Sequence, residues 1–149
     1  MQGFPHHYLV SVTGAAQGDI ELTADGLPNL RSASPAEFDG PGDRWSPETL
    51  FVAAIADCYL LTFCAVASFA RFRWNTLSCH VEGVVDRVDR VTRFVEIEIH
   101  ARLSVPSGSD IEHAERLLLS AKHACLVTNS LHATVRLEPS IVSEVACSA

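Results

Sequence analysis

The chain has 149 residues, 48% of them hydrophobic and 19% charged, which suffices for one domain with a genuine core and excludes a disordered segment. A net charge of −7 and a pI near 5.4, with the eleven basic residues scattered, exclude the positive stripe that a phosphate backbone requires. Residues 1–8 lack the basic-then-apolar order of a signal peptide, so a cytoplasmic location is expected, with neither nucleic acid nor membrane as partner.

Tyr8, Val10 and Val12 alternate with polar neighbours, Gly14 to Gly18 turns the chain, and Ile20, Leu22 and Ala24 alternate again, the pattern of a β-hairpin. Asp25-Gly26 leads into another extended piece over residues 27–32, and residues 34–44, with two Pro and two Gly, form a loop. Ser46 then supplies an N-cap, Pro47 fits the first helical position, and Glu48 puts a negative charge at the positive end of the helix dipole. The helix should run to about Phe69 or Arg73. Asp57, Cys58, Thr62, Cys64 and Ser68 interrupt its apolar run, so it reads as a buried helix rather than a membrane span. Being apolar nearly all round, it must be covered on most sides, by its own sheet and by another subunit.

From residue 77 to 105 the period changes to two. Cys79, Val81, Gly83 and Val85 share one face, and Val95, Ile97, Ile99, Ala101, Leu103 and Val105 share one on the next strand. Both sets fall on odd numbers, so odd should pair with odd, which excludes a simple two-residue turn at Asp89-Arg90. Ser109-Asp110-Ile111-Glu112 has the form of a capping box opening another helix, whose apolar positions Ile111, Ala114, Leu118, Ala121 and Cys125 recur at helical spacing. A last strand follows over residues 132–142. The order, three strands, helix, two strands, helix, strand, is α+β in a single domain over residues 1–149.

Five cysteines in an odd, unframed set argue against a disulfide scaffold, and no CxxC suggests zinc. Cys64 lies about 240° round and about 9 Å along the helix from Cys58, so the two cannot pair. Cys64 and Cys79 read as core filler and Cys147 as part of a frayed terminus. Cys58 lies too deep in its helix for the dipole to act on it, and burial alone raises a thiol's pKa. A reactive thiolate there needs a cation, in this chain an arginine, since the only lysine is Lys122. His80, Glu82 and His100 share a polar sheet face without ligand spacing, His123 faces away from Cys125, and neither metal nor cofactor is expected.

The segment Gly42-Asp43-Arg44-Trp45-Ser46-Pro47-Glu48-Thr49-Leu50-Phe51, with Ala56-Asp57-Cys58-Tyr59, resembles the OsmC/Ohr family, in which a Ser- or Asn-Pro-Glu start opens the helix that carries a reactive cysteine ten residues after the Glu. Ala121-Lys122-His123-Ala124-Cys125-Leu126-Val127-Thr128-Asn129 is similar to that family's second-cysteine segment, where Pro commonly follows the Cys. The resemblance implies antiparallel sheets around two central helices in an intertwined homodimer. It also implies a thiol peroxidase acting on organic hydroperoxides, with Cys58 peroxidatic, Cys125 resolving, and a dithiol such as a lipoyl protein as reductant. Glu48 and Cys58 stand about 15 Å apart along one helix, so Glu48 would act on the Cys58 of a partner chain. The family's two arginine positions fall here on Ala16 and Glu37; Arg44 is the candidate in their stead, with Arg31 next. The alternative is a non-catalytic protein of this fold that binds an apolar ligand between paired helices or senses oxidation.

Overall fold

A computed structural model describes residues 3–144; Cys147 lies outside the described residues. The chain divides into two compact units, Met1–Phe51 and Val52–Ala149. The first holds three short antiparallel strands in sequential order, β1 (Ser11–Thr13), β2 (Ile20–Thr23) and β3 (Leu30–Ser32). A 3-10 turn over Ala36–Phe38 occupies the expected loop.

Helix α1 (Pro47–Phe69) starts where Ser46 allows it. Thr49 N–H donates to Ser46 Oγ at 3.2 Å and Ser46 N–H donates to Thr49 Oγ1 at 2.8 Å, a reciprocal cap with Thr in the place usually held by Glu or Gln. Within the second unit α1 buries one stripe, Ile55, Tyr59, Phe63 and Ala67, spaced four residues apart. Phe63 meets Trp74 edge to face at 5.4 Å, and the Tyr59 hydroxyl donates to the Leu118 carbonyl at 3.3 Å. Only 22% of its most apolar window is buried within the chain, and length and composition alone would let it cross a membrane. Leu61 and Phe69 remain 59% and 94% exposed. The single chain thus supplies one side of the cover that an all-round apolar helix requires.

Strands β4 (Thr76–Val88), β5 (Val91–Pro106) and β6 (Thr134–Glu144) form the second sheet, with β5 central. Ile97, Ile99, Ala101, Leu103 and Val105 of β5 are buried, as the alternation predicts. Odd pairs with odd from Leu77↔Leu103 to Gly83↔Ile97. The turn differs from expectation, because Asp89 and Arg90 do make a two-residue turn between the paired Val88 and Val91, both with positive φ (52° and 66°) as a type I′ turn demands. A β-bulge reconciles the two. Val84 pairs Glu96 but Val85 pairs Phe94, and Val95 absorbs the one-residue shift.

The expected all-antiparallel arrangement is corrected at β6, which runs parallel to β5 from Glu96↔Thr134 to Pro106↔Glu144. The physical reason is the connection. Helices α2 (Ile111–Ala124) and α3 (Leu126–Asn129) intervene, and such a crossover returns the chain in its original direction. Helix α2 is capped by Asp110, whose carboxylate accepts from His113 N–H at 2.9 Å, while Ser109 donates to the Pro106 carbonyl. The expected capping box at Ser109 is therefore replaced by a single side-chain cap one residue later. Ala114, Leu118, Ala121 and Cys125 are buried as the periodicity predicts, joined by Leu117, whereas Ile111 is 41% exposed.

Gly83 sets how closely α1 lies on the sheet, since a Cβ there would stand 2.8 Å from the Phe94 ring and 2.9 Å from a Val52 methyl. Gly83→Ala should therefore overpack this contact and lower stability by about 1–3 kcal/mol, read as a fall in the denaturant midpoint; an unchanged midpoint would show that the helix yields freely.

Candidate functional site

Cys58 projects from the middle of α1 and Cys125 sits at the joint between α2 and α3, serving as C-cap of one and N-cap of the other. They are 67 residues apart in sequence and meet in the second unit. The Val127 N–H donates to Cys58 Sγ at 3.5 Å, and the Leu126 N–H and the Cys125 thiol lie close enough to favour negative charge on the same sulfur. What turns these amides toward Cys58 is local. Cys125 is extended (φ −67°, ψ 114°), which ends α2, and α3 begins at once, leaving its leading N–H groups without intrahelical acceptors. Asn129 Nδ2 donates to the His123 carbonyl at 2.9 Å and Thr128 Oγ1 to the Cys125 carbonyl at 3.1 Å, tying the joint down from both sides.

The electrostatics follow from these donors. Burial, the largest single influence, pushes the Cys58 thiol up, but Val127 N–H, the Cys125 thiol and Leu126 N–H favour the thiolate and together leave it below its ordinary value. Thr62 stands beside the sulfur too, though its Oγ1 donates to the Cys58 carbonyl at 2.7 Å, and a hydroxyl has one proton to give. Cys125 moves the other way. Burial raises it, and its hydrogen bond and proximity to Cys58 raise it further, against the lowering effect of Thr128. One thiol of the pair is thus prepared to ionise and its neighbour to stay protonated. Neutral donors at a chain joint therefore act on Cys58 in the direction for which a cation was expected.

Cys79, on the inner face of β4, is pushed up to about 11 by burial, consistent with a structural thiol, and Cys64 is half-buried on α1. In the first unit, Arg44 is bound to Asp19 at 3.0 Å and to Asp43 at 2.8 Å. Arg31 lines a surface concavity with Leu30, Asp43, Arg44, Trp45 and Thr49. The Glu48 Oε2 atom is buried and has no hydrogen-bond partner among the described residues. His80 and His100 are cross-strand neighbours with ring centroids 6.1 Å apart, and Glu82 faces Glu98, yet no group of three potential ligands converges among the described residues. The amides of Leu126 and Val127 carry no side-chain identity and so left no sequence signal. Thr128 and Asn129 were marked only by the family resemblance of their segment.

Comparison with known proteins gives a consistent picture. The family model of OsmC-like proteins matches residues 40–140. The chain is 26% identical over 137 residues to the uncharacterized protein YmaD of Bacillus subtilis (strain 168), covering 89% of this chain and 91% of that one. Among solved structures, an OsmC-like protein of unknown function from Vibrio cholerae superposes with a TM-score of 0.81 at 17% identity, covering 91% of this chain and 99% of that chain. An organic hydroperoxide resistance protein OsmC from Legionella pneumophila gives 0.74 at 26% identity, covering 93% and 98%.

The donor arrangement predicts that thiolate reactivity of Cys58 rises with pH through a midpoint below that of an unfolded control peptide, while Cys79 stays unmodified at neutral pH. Leu126→Pro removes one donor with little disturbance, because Leu126 is 68% exposed and occupies a first helical position after an extended residue. Alkylation of Cys58 at pH 7 should slow by roughly two- to tenfold and its midpoint should move up; an unmoved midpoint would show that the amide contributes nothing.

Proposed function

The chain belongs to the OsmC-like protein family, and from that premise we propose that it is a thiol peroxidase reducing organic hydroperoxides, with Cys58 as the peroxidatic and Cys125 as the resolving cysteine. The observation that carries this reading is the meeting of Cys58 with the joint that holds Cys125, where the Val127 N–H donates to Cys58 Sγ at 3.5 Å and Cys125 neighbours that sulfur. A sulfur that attacks a peroxide must be a thiolate, and a thiol that resolves the product must lie within reach of it.

In this mechanism the Cys58 thiolate attacks the terminal oxygen of ROOH, the O–O bond breaks, and RO⁻ leaves to take up a proton as ROH. Cys58 is then a sulfenic acid. Cys125 attacks its sulfur, the S–O bond breaks, and water departs with the thiol proton, leaving a Cys58–Cys125 disulfide. A dithiol reductant such as a lipoyl group restores both thiols by exchange. The Leu126 and Val127 amides support negative charge on Cys58 sulfur before attack.

The active form in this reading is a homodimer. The uncovered sides of α1, with Leu61 and Phe69 exposed, suit a second copy of the same helix, and fully burying such a side chain contributes about 1.5–3 kcal/mol each. An antiparallel pair of α1 helices would present Glu48 of one chain to Cys58 of the other, where its orphaned buried oxygen could accept a proton donor. Arg44 serves as a secondary positioning group, its ion pairs with Asp19 and Asp43 ordering the chain that leads into Ser46, Pro47 and Glu48.

Cys58→Ser should abolish consumption of cumene hydroperoxide, whereas Cys125→Ser should complete one turnover and then stall, leaving a sulfenic acid detectable by dimedone. Wild-type protein that consumes no organic hydroperoxide with any dithiol would sink the proposal. Arg44→Ala should move the alkylation midpoint of Cys58 less than Leu126→Pro does, and the reverse order would restore the arginine to first place.

A further inference from the structure

Thr62 lies about one helical turn beyond Cys58 on α1 and is half-buried. Side chains four residues apart on a helix share a face, and each leans back towards the N-terminus, so the Thr62 side chain hangs over that of Cys58. Its Oγ1 donates to the Cys58 carbonyl at 2.7 Å, yet the same hydroxyl stands close enough to the Cys58 sulfur to favour negative charge there. One proton therefore has two acceptors on a single residue.

Which acceptor wins depends on the charge of the sulfur. A neutral thiol accepts weakly, and the carbonyl keeps the proton. A thiolate forms a charge-assisted bond, roughly twice as strong as a neutral one. The carbonyl can release the hydroxyl without being orphaned, because within the helix it also accepts from the Thr62 N–H. Thr62 is β-branched and stiff about its Cα–Cβ bond, so the motion required is a turn of the O–H about Cβ–Oγ1.

We propose that Thr62 is a switchable donor to the reacting sulfur, its hydroxyl resting on the Cys58 carbonyl while Cys58 is a thiol and turning onto Sγ when Cys58 ionises. This deepens the reading of Cys58 as the nucleophile and rests on it. On ionisation the Cys58 proton goes to solvent, and the Thr62 proton stays on its own oxygen. Once attack on a peroxide has left a neutral sulfenic acid, the hydroxyl returns to the carbonyl. A thiolate held by donors is less basic and attacks more slowly, with a Brønsted slope of about 0.4–0.5. Thr62 thus lowers the speed of each thiolate while raising the number of thiolates, and below the midpoint the second effect is the larger.

Alkylation of Cys58 by iodoacetamide in the full chain, followed by peptide mass across the titration of the thiol, tests this without peroxide. From the joint, the Cys125 thiol and the Leu126 and Val127 amides act on the same sulfur, and on α1 the exposed Asp57 precedes it. All of these stay in place when Thr62 is changed. Thr62→Val should raise the midpoint by about half to one pH unit, slow alkylation about two- to fourfold well below it and speed alkylation about two- to threefold above it, so that the variant and wild-type profiles cross. Thr62→Ser should restore the wild-type profile, and Thr62→Ala, which favours the helix while removing the hydroxyl, should cross it as Thr62→Val does. An unmoved midpoint in Thr62→Val and Thr62→Ala, or rates lowered by one factor at every pH as a packing defect would give, overturns the proposal. Crossing profiles in a protein that consumes no organic hydroperoxide uphold it and overturn only the peroxidase reading.

Discussion

The packing of α1 through a single stripe is the constraint on which the rest of the second unit depends. Ile55, Tyr59, Phe63 and Ala67 recur every four residues, and their burial fixes the helix's rotation about its axis. Cys58 precedes Tyr59 by one residue, hence about 100° round the helix, and so stands at the margin of the stripe rather than in its centre. That margin gives it partial access to solvent while holding it against the joint of α2 and α3. Gly83 sets the depth at which the stripe rests, since Val52 and Phe94 crowd the place a side chain would take. The position of the thiol is therefore a consequence of core packing.

Once Cys58 is placed, its chemistry follows from competition between desolvation and directed hydrogen bonds. Desolvation is the larger single influence and acts against the thiolate, and it is outweighed only because several donors converge on one atom. The joint supplies them economically, because two of the donors are backbone N–H groups that the start of α3 leaves free. The same joint buries Cys125 completely, and that burial, with the nearness of Cys58, raises its thiol against the lowering effect of Thr128.

Much of this was legible in the sequence where a period or a cap carried the information. The alternation on odd numbers in β4 and β5 gave the correct pairing over most of the hairpin, and Ser46-Pro47 gave the start of α1. The bulge at Val95 was not legible, because Val95 is apolar like its neighbours and nothing in a period-two pattern marks an inserted residue. The direction of β6 was hidden for a different reason. Strand alternation reads the same in either direction, and only the helical crossover from β5 makes it parallel. The thiol pair was found through the resemblance of its flanking segments, whereas its activating amides have no residue identity to read. Reasoning from side chains alone therefore called for an arginine and passed over the amides.

The exposed sides of α1 and the orphaned oxygen of Glu48 bear on the same question from different chemistry. Exposed apolar area on a helix of this length is tolerable in water but unfavourable, and a buried carboxylate oxygen without a donor costs about 1–3 kcal/mol or more. Burial of α1 in a membrane would relieve the first and aggravate the second, since hydrocarbon offers Glu48 no donor. A second copy of the helix would relieve the first by covering it with matching apolar surface, and its polar groups would be available to the carboxylate. In the proposed homodimer, stability and completion of the active site are the same event, which is why a thiol prepared by neutral donors within one chain would still depend on its partner for the reaction itself.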